Sequence, residues 1–555
     1  MKKLLLTVML VVTFFALSAV PASAVVNDTV KVGLRYGSSA LFSANLENAV
    51  GSGYEFGYFD DGREFESLGW TDETTISMTA AGDIYMSAGG TYASSGGGTY
   101  LGPWHVEING FRDYDEALDA ARDYGGYPAW IDREYVVRVG CYGSRSEANA
   151  AADRLGEGYA AQSSSTGVVV TVTKTTDILF EFDCGGALNL GVLPAGGRSG
   201  ALTWFKGYKY AGGFEYARAA GGNLSVINVV DLEDYVKGVV PYEMNGDWPL
   251  AALEAQAVCA RTFACRNAKH QSYDFDVCST TCCQVYNGTN TATGLSDEAV
   301  DNTEGECLYY EGELIEAVYH SSNGGATEDA ENVWGGRVPY LVGKEDPYEE
   351  LISIPNYNWS VTYTADQLTW ILQQKNYDIG QVENVYVSAV TDMGNVAAVT
   401  FVDTRGKTLT VKGDAARTVF YSSTYQKSVP SMRFTISGGE GGETVVVGGG
   451  SFYVNGSQKL SNLEGAVAIA TGGKKTTLSG GDWYVITDSG VEKLSAGTVA
   501  RRVGVTSGSG DTFAITGTGN GHNVGLSQYG ARAMAEDGYS YDEILEFYYT
   551  DITIK

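Results

Sequence analysis

The sequence predicts an α+β fold, rich in strands and organised around one long helix, on three observations. Short apolar runs broken by Gly and Asp recur along the chain, as in Val30 to Gly37 and Tyr54 to Phe59, which is the pattern of half-buried strands. Between positions 248 and 267, Leu250, Leu253, Ala257, Val258 and Ala264 recur at helical spacing, with Asp247 placed as a cap and Pro249 tolerated in a first turn. A strand, turn and short amphipathic helix also occurs twice between positions 104 and 152.

Taken in order, Met1-Lys2-Lys3, the apolar run Leu4 to Val20 and Ala22-Ser23-Ala24 read as a secretory signal peptide over 1–24. No later run is long and apolar enough to span a bilayer. Residues 25–99 read as a β-rich segment ending in the linker-like stretch Ala93 to Gly98. Over 100–175, Trp104 to Phe111 leads to Asp115 to Ala121, and Tyr135 to Tyr142 leads to Ser146 to Ala152. With strands at Tyr127 to Ile131 and Gly167 to Thr173, this gives a βαββαβ module inserted into the surrounding β layer.

Strands resume at Ile178 to Phe182 and run to Leu224 to Val230. Cys307 to Ser321 reads as a hairpin turned at Glu311-Gly312 that delivers the polar loop Ser321 to Gly325. Thr364 caps a further helix, and Val382 to Val411 returns to strands. Residues 436–512 read as a Gly-rich β insert without Cys or His. The chain closes over 513–555 with a strand, the loop Gly517 to Gly525 and a helix from Leu526.

The formal net charge is -30, from 37 Lys and Arg against 67 Asp and Glu, which disfavours nucleic acid and anionic lipid surfaces as partners. A neutral or cation-associated polymer fits better. Seventy-two Gly, 37 Tyr and 9 Trp suit a loop-rich extracellular protein with aromatic surfaces for sugar rings, although Tyr also packs well in ordinary strands.

Chemistry concentrates in three places. Glu243 of Pro241-Tyr242-Glu243-Met244 is expected in the turn between the strand ending near Val230 and the long helix, where a loop held at both ends presents a side chain rigidly. A carboxyl there acts as a general acid when its surroundings raise its pKa, although acids near helix starts are common for dipole reasons alone. His270, Cys278, Cys282 and Cys283 can supply four zinc ligands, and a Cys278 to Cys283 disulfide is the equal alternative. Cys259 and Cys265 face different sides of the helix and cannot bridge to each other. Gly517 to Gly525 superficially matches a nucleotide loop, but no βαβ unit follows it, so its glycines are expected to admit a bulky ligand.

The segments Val229 to Met244 and Ala255 to Phe263, and the ending Gly517-Thr518-Gly519-Asn520-Gly521-His522-Asn523-Val524-Gly525-Leu526-Ser527-Gln528, resemble the SpoIID/LytB family of bacterial peptidoglycan proteins. Asn523 and Leu526 stand where that family has Gly and Met. The resemblance assigns 176–435 and 513–555 to a SpoIID-like core. The second half of 100–175 resembles the SPOR domain, which binds glycan strands stripped of their stem peptides.

What the resemblance implies is a lytic transglycosylase with Glu243 as its catalytic carboxyl. Gln256, Arg261, Ser321, Ser322, His522, Ser527 and Gln528 would hold the sugar or tune Glu243. It also implies a structural zinc in some members, on a pattern Cys-x-x-x-His-Cys-Gln in which Cys282 here replaces the His; no cofactor is otherwise required. The expected setting is outside the cytoplasm, in the cell wall or the intermembrane space of a forespore, with peptidoglycan glycan strands as partner. The LytB branch implies a rival role, a non-catalytic modifier that stimulates a cell-wall amidase.

Overall fold

The computed structural model describes residues 28–438 and 512–555 apart from 197–199, 219–221 and 267–268, and, within 439–511, the backbone of six short strands. The signal peptide reading of 1–24 and the side chains of the β insert lie outside the described residues.

Two sheets face one another. The first has seven strands, in the order Val277–Cys278, Thr29–Arg35, Leu224–Asp231, Gly213–Arg218, Leu190–Pro194, Tyr54–Phe59 and Phe65–Thr71. The second has ten: Tyr159–Gln162, Trp104–Phe111, Glu134–Tyr142, Tyr127–Ile131, Ile178–Asp183, Val168–Val172, Thr75–Ala80, Ser43–Val50, Leu202–Phe205 and Tyr208–Tyr210. Side chains of both sheets, among them Val32, Phe56, Ile76, Phe180, Val192 and Val226, meet in one core. As expected for a module inserted into one β layer, the segment over 25–99 shares its sheets with strands from 168–231.

The βαββαβ unit occupies one end of the ten-stranded sheet. Its helices α1 (Tyr114–Tyr124) and α2 (Arg145–Leu155) are capped by Asp113 and Ser144 and end at Gly125 and Gly156, both left-handed. One expectation is corrected. The strand that closes the unit is Tyr159–Gln162, beside Trp104–Phe111. Val168–Val172 instead joins Thr75–Ala80 and Ile178–Asp183, because its apolar residues on both faces suit a central strand.

Beyond Asp231 the chain enters α3 (Leu232–Glu243), then α4 (Leu250–Arg266). Here the expectation of a turn before one helix is also corrected: Glu243 is the last residue of a helix of its own. Leu232, Tyr235, Val236, Val239 and Val240 form its buried stripe, and Asp231 caps it by accepting the amides of Glu233 and Asp234. The Val-rich composition favours strand locally, and Pro241 argues against helix, but both sit where packing decides. The helix α5 (Gly294–Asn302) packs on α3 and α4.

The hairpin Leu308–Tyr310 with Glu313–Leu314 forms as expected, with Glu311 and Gly312 both at positive φ, 51° and 89°. It leads to Tyr319–His320, which pairs in parallel with Leu526–Ser527, bringing the distant end of the chain beside it. The helix α6 (Ala330–Trp334) follows.

A second core lies over α7 (Ala365–Gln374), capped by Thr364 as expected, and α8 (Ala415–Thr418) with their neighbouring strands. In it Thr512–Thr518 pairs with both Asn358–Thr364 and Arg433–Ser437. Because Ser437 faces Ala514, the chain leaves and re-enters at adjacent strand ends, a place where an insertion disturbs little. The helices α9 (Gln528–Glu536) and α10 (Tyr541–Tyr548) return to the first core against α4.

Candidate active site

Three segments converge on Glu243: the end of α3, the loop after Cys278, and the paired strands Tyr319–His320 and Leu526–Ser527. The carboxylate Oε1 accepts the amide of Val285 at 2.9 Å, and the side chains of Tyr319 and Gln528 also hydrogen-bond to it. It makes no ion pair among the described residues. Burial raises its pKa, and these three hydrogen bonds offset that only in part, so the carboxyl sits above its ordinary value. Its place at the negative end of α3 acts in the same direction.

The residues around it form a relay of fixed dipoles. Tyr235 donates to Gln284 Oε1 at 2.9 Å, and Gln284 Nε2 donates to the Tyr319 hydroxyl at 3.2 Å. On the other side Gln528 Nε2 donates to Gln256 Oε1 at 3.2 Å. A cavity of about 570 Å³ opens in front of Glu243. Tyr319, Ser321, His522 and Gln528 line it with Glu243, as do Cys282, Cys283, Glu316, Lys269 and Trp334.

Of the residues expected to hold a sugar, the structure brings Ser321, His522 and Gln528 to the cavity and keeps the others behind it. Arg261 is fully buried and forked onto Glu233, at 2.8 and 2.6 Å, and also donates to the carbonyls of Glu306 and Val300. Gln256 is fully buried and reaches Glu243 only through Gln528. Ser322 and Ser527 are buried and both donate to Glu349, at 2.8 and 2.5 Å. Glu349 also accepts the amides of Asn323 and Gly324, so it ties the Ser321 to Gly325 loop to the start of α9. Burial and the neighbouring Asp346 push its carboxyl up to about 7, against those hydrogen bonds.

His522 is held down to about 4 by burial and by Arg417, and is neutral at physiological pH. Its Nδ1 accepts the amide of Val524 at 3.1 Å, and its ring lies 5.1 Å from that of Trp334. Trp334 is 49% exposed, an open aromatic face beside the acid. His320 is buried, with Nδ1 on the carbonyl of Val524.

The donor atoms of His270, Cys278, Cys282 and Cys283 all lie within 4.8 Å of one another. Three thiols and an imidazole at that spacing fit one tetrahedral zinc, and contraction of one sulfur pair fits a disulfide. Cys278 is fixed at the sheet edge, where Val277–Cys278 pairs with Thr29–Arg35, and His270 packs on the ring of Phe275 at 5.0 Å. Cys283 precedes Gln284 and Val285, so whatever closes the cluster also sets the amide that Glu243 accepts.

A family model described as stage II sporulation protein, SpoIID, matches residues 220–310. An uncharacterised protein of Brachyspira hyodysenteriae is 30% identical over 336 residues, 59% of this chain and 68% of its own length. The chain belongs to the SpoIID/LytB family. A Bacillus subtilis protein named amidase enhancer is 33% identical over 322 residues, 58% of this chain. The chain spans 40% of that relative's length. Stage II sporulation protein D of Bacillus subtilis is 28% identical over 355 residues, 60% of this chain and 76% of its own length.

The SpoIID model covers Glu243 and the Cys cluster, while Tyr319, Trp334, His522 and Gln528, the opposite wall of the cavity, lie beyond it. Sequence reasoning missed Tyr319, Gln284, Trp334, Lys269 and Glu349. The place of Tyr319 in the strand beside Ser321, and that of Gln284 at the end of the Cys-x-x-x-Cys-Cys-Gln pattern, were the usable signals. The rest become neighbours of Glu243 or of its supporting loops through contacts between distant segments.

Proposed function

We propose that this SpoIID/LytB protein is a lytic transglycosylase that cleaves the bond from MurNAc to GlcNAc in peptidoglycan glycan from which stem peptides have been removed. The observation that carries this is Glu243, a carboxyl with no cationic partner among the described residues, raised in pKa and open to a cavity of sugar size. Protonated, Glu243 gives its proton to the glycosidic oxygen as the bond to C1 breaks. As carboxylate it then takes the proton of the MurNAc C6 hydroxyl, whose oxygen attacks C1 and closes the 1,6-anhydro ring. The attacking group belongs to the substrate, so no second enzyme carboxylate is needed, unlike a two-carboxylate hydrolase.

Tyr319 and Gln528 hold the carboxyl in line. Trp334 offers its face to a sugar ring, and Lys269 supplies positive charge for the lactyl carboxylate that amide cleavage exposes. His270, Cys278, Cys282 and Cys283 would hold a structural zinc that fixes the wall carrying Val285, and one equivalent of zinc in purified protein supports this over a disulfide. The βαββαβ unit would bind the same stripped glycan in the manner of a SPOR domain. The site of action would be outside the cytoplasm, at the cell wall.

A second reading is favoured by the relative named amidase enhancer: a wall-binding protein that stimulates an amidase without cleaving glycan. Digestion of amidase-treated sacculi separates the two. 1,6-Anhydro disaccharides released by wild type and reduced 10²- to 10⁴-fold or more by Glu243→Gln are expected. Undiminished release by the variant ends the lytic reading. No release by either protein, with amidase stimulation by both, establishes the modifier. Because Glu316 also lines the cavity, Glu316→Gln is included: retained anhydro product is expected, and a switch to plain reducing ends in the wild type would show a hydrolase instead.

A further inference from the structure

Cys265 lies in the last turn of α4, and Cys307 immediately precedes the strand Leu308–Tyr310. Two hydrogen bonds hold these segments together one turn earlier. Arg261 Nη1 donates to the carbonyl of Glu306 at 3.1 Å, and the amide of Leu308 donates to Thr262 Oγ1 at 2.9 Å. The helix then presents Cys265 next to Cys307, and the two thiols hydrogen-bond to each other. Backbone pairing with Lys555, at 3.0 and 3.1 Å, fixes Cys307 from its other side. Cys307 is buried and Cys265 is partly exposed. Neither takes part in the site around Glu243 or in the cluster with His270, and Cys259 is engaged with the Tyr549 hydroxyl at 3.4 Å.

We propose that Cys265 and Cys307 form a disulfide that closes the segment 266–306. That segment carries His270, Cys278, Cys282, Cys283 and Val285, the wall of the cavity that grips Glu243. The bond would tie both feet of the wall to the end of α4. An exported chain meets the required oxidant, a small-molecule disulfide or the disulfide of an exported thiol oxidoreductase. Cys307, whose thiolate the hydrogen bond from Cys265 favours, takes the Cys265 proton as the partly exposed Cys265 sulfur attacks one sulfur of the oxidant, giving a mixed disulfide and releasing one thiol. Cys307 then gives that proton to solvent and, as a thiolate with Arg261 beside it, attacks the Cys265 sulfur and expels the second thiol. Two protons and two electrons leave the protein, and one disulfide of the oxidant becomes two thiols. The pairing is independent of the reaction assigned to Glu243 and of the metal.

The test uses the full chain incubated with oxidised glutathione, alkylated, digested without reductant and mapped by mass spectrometry. A peptide linking Cys265 to Cys307 is expected. Alkyl label on both sulfurs, glutathione left on Cys265 beside an alkylated Cys307, or a link from either one to another cysteine overturns the proposal. Adding a phosphine reductant should lower the thermal midpoint of the oxidised wild type by roughly 5–10 °C, for a closed loop of about 40 residues. The same addition should leave Cys265→Ser and Cys307→Ser unchanged, and an equal fall in these variants overturns the assignment of the effect to this pair.

Discussion

Glu181 and Glu243 are both glutamates drawn away from solvent, and they differ in company. Glu181 is fully buried at the seam between the βαββαβ unit and the strand Ile178–Asp183, with Arg138 Nη1 at 2.6 Å, Ser163 Oγ at 2.6 Å and Tyr127 OH at 3.1 Å. Burial alone would raise its pKa, but Arg138, His105 and these hydrogen bonds overcome it and hold the carboxyl below its ordinary range. Glu243 has neutral donors only, and burial wins. A cation beside a buried acid makes a structural pin, whereas neutral dipoles leave the proton available.

The largest expected effect on stability follows from breaking the pin. Arg138 also forks onto Glu107, at 3.0 and 2.9 Å, so Arg138→Met strands two buried carboxylates. It should cost about 3–5 kcal/mol in urea unfolding. Glu243→Gln removes a desolvated carboxyl without stranding a partner charge and should leave unfolding within about 1 kcal/mol of wild type. Equal losses in the two variants would erase the distinction.

Glu349 stands between these cases, buried and raised from 4.5 to about 7. The folded state keeps a proton that the unfolded chain gives up above its ordinary value. The stability from this group is therefore fully present below about pH 4.5 and is lost as pH rises through about 7, an amount of order 3 kcal/mol. Thermal midpoints measured from pH 5 to 8 should fall more steeply for wild type than for Glu349→Gln. Parallel slopes would show that Glu349 is not the group that titrates.

Tyr319→Phe should have the smallest effect. Loss of one hydrogen bond to the charged form, worth about 1 kcal/mol, raises the Glu243 pKa further. The alkaline limb of the cleavage rate should shift upward by up to about one pH unit, and a downward shift would mean that Tyr319 favours the neutral acid.

Much of the frame was legible in the sequence. The stripe of α4, the Glu311-Gly312 turn and the Thr364 cap are local patterns, and local physics formed them. Glu243 was legible through the motif around it, although α3 was not, because Val236, Val239 and Val240 read equally well as strand until they are packed. The residues expected to contact sugar were the least legible. Ser322 and Ser527 look like exposed polar residues in glycine-rich loops, yet Glu349 turns both inward. Arg261 is likewise absorbed by Glu233. A polar side chain in a motif announces a hydrogen bond, and only the fold decides whether the partner is substrate or protein.

The continuity of the ten-stranded sheet has one more consequence. Strand Tyr127–Ile131 pairs directly with Ile178–Asp183, and Arg138 pins that join. A ligand on the βαββαβ unit is thus held at a set distance and angle from the cavity, as on a ruler rather than a leash. Were the unit to bind a long repeating polymer, such an arm would select which repeat is presented to Glu243, and the fold would set a stride along the strand.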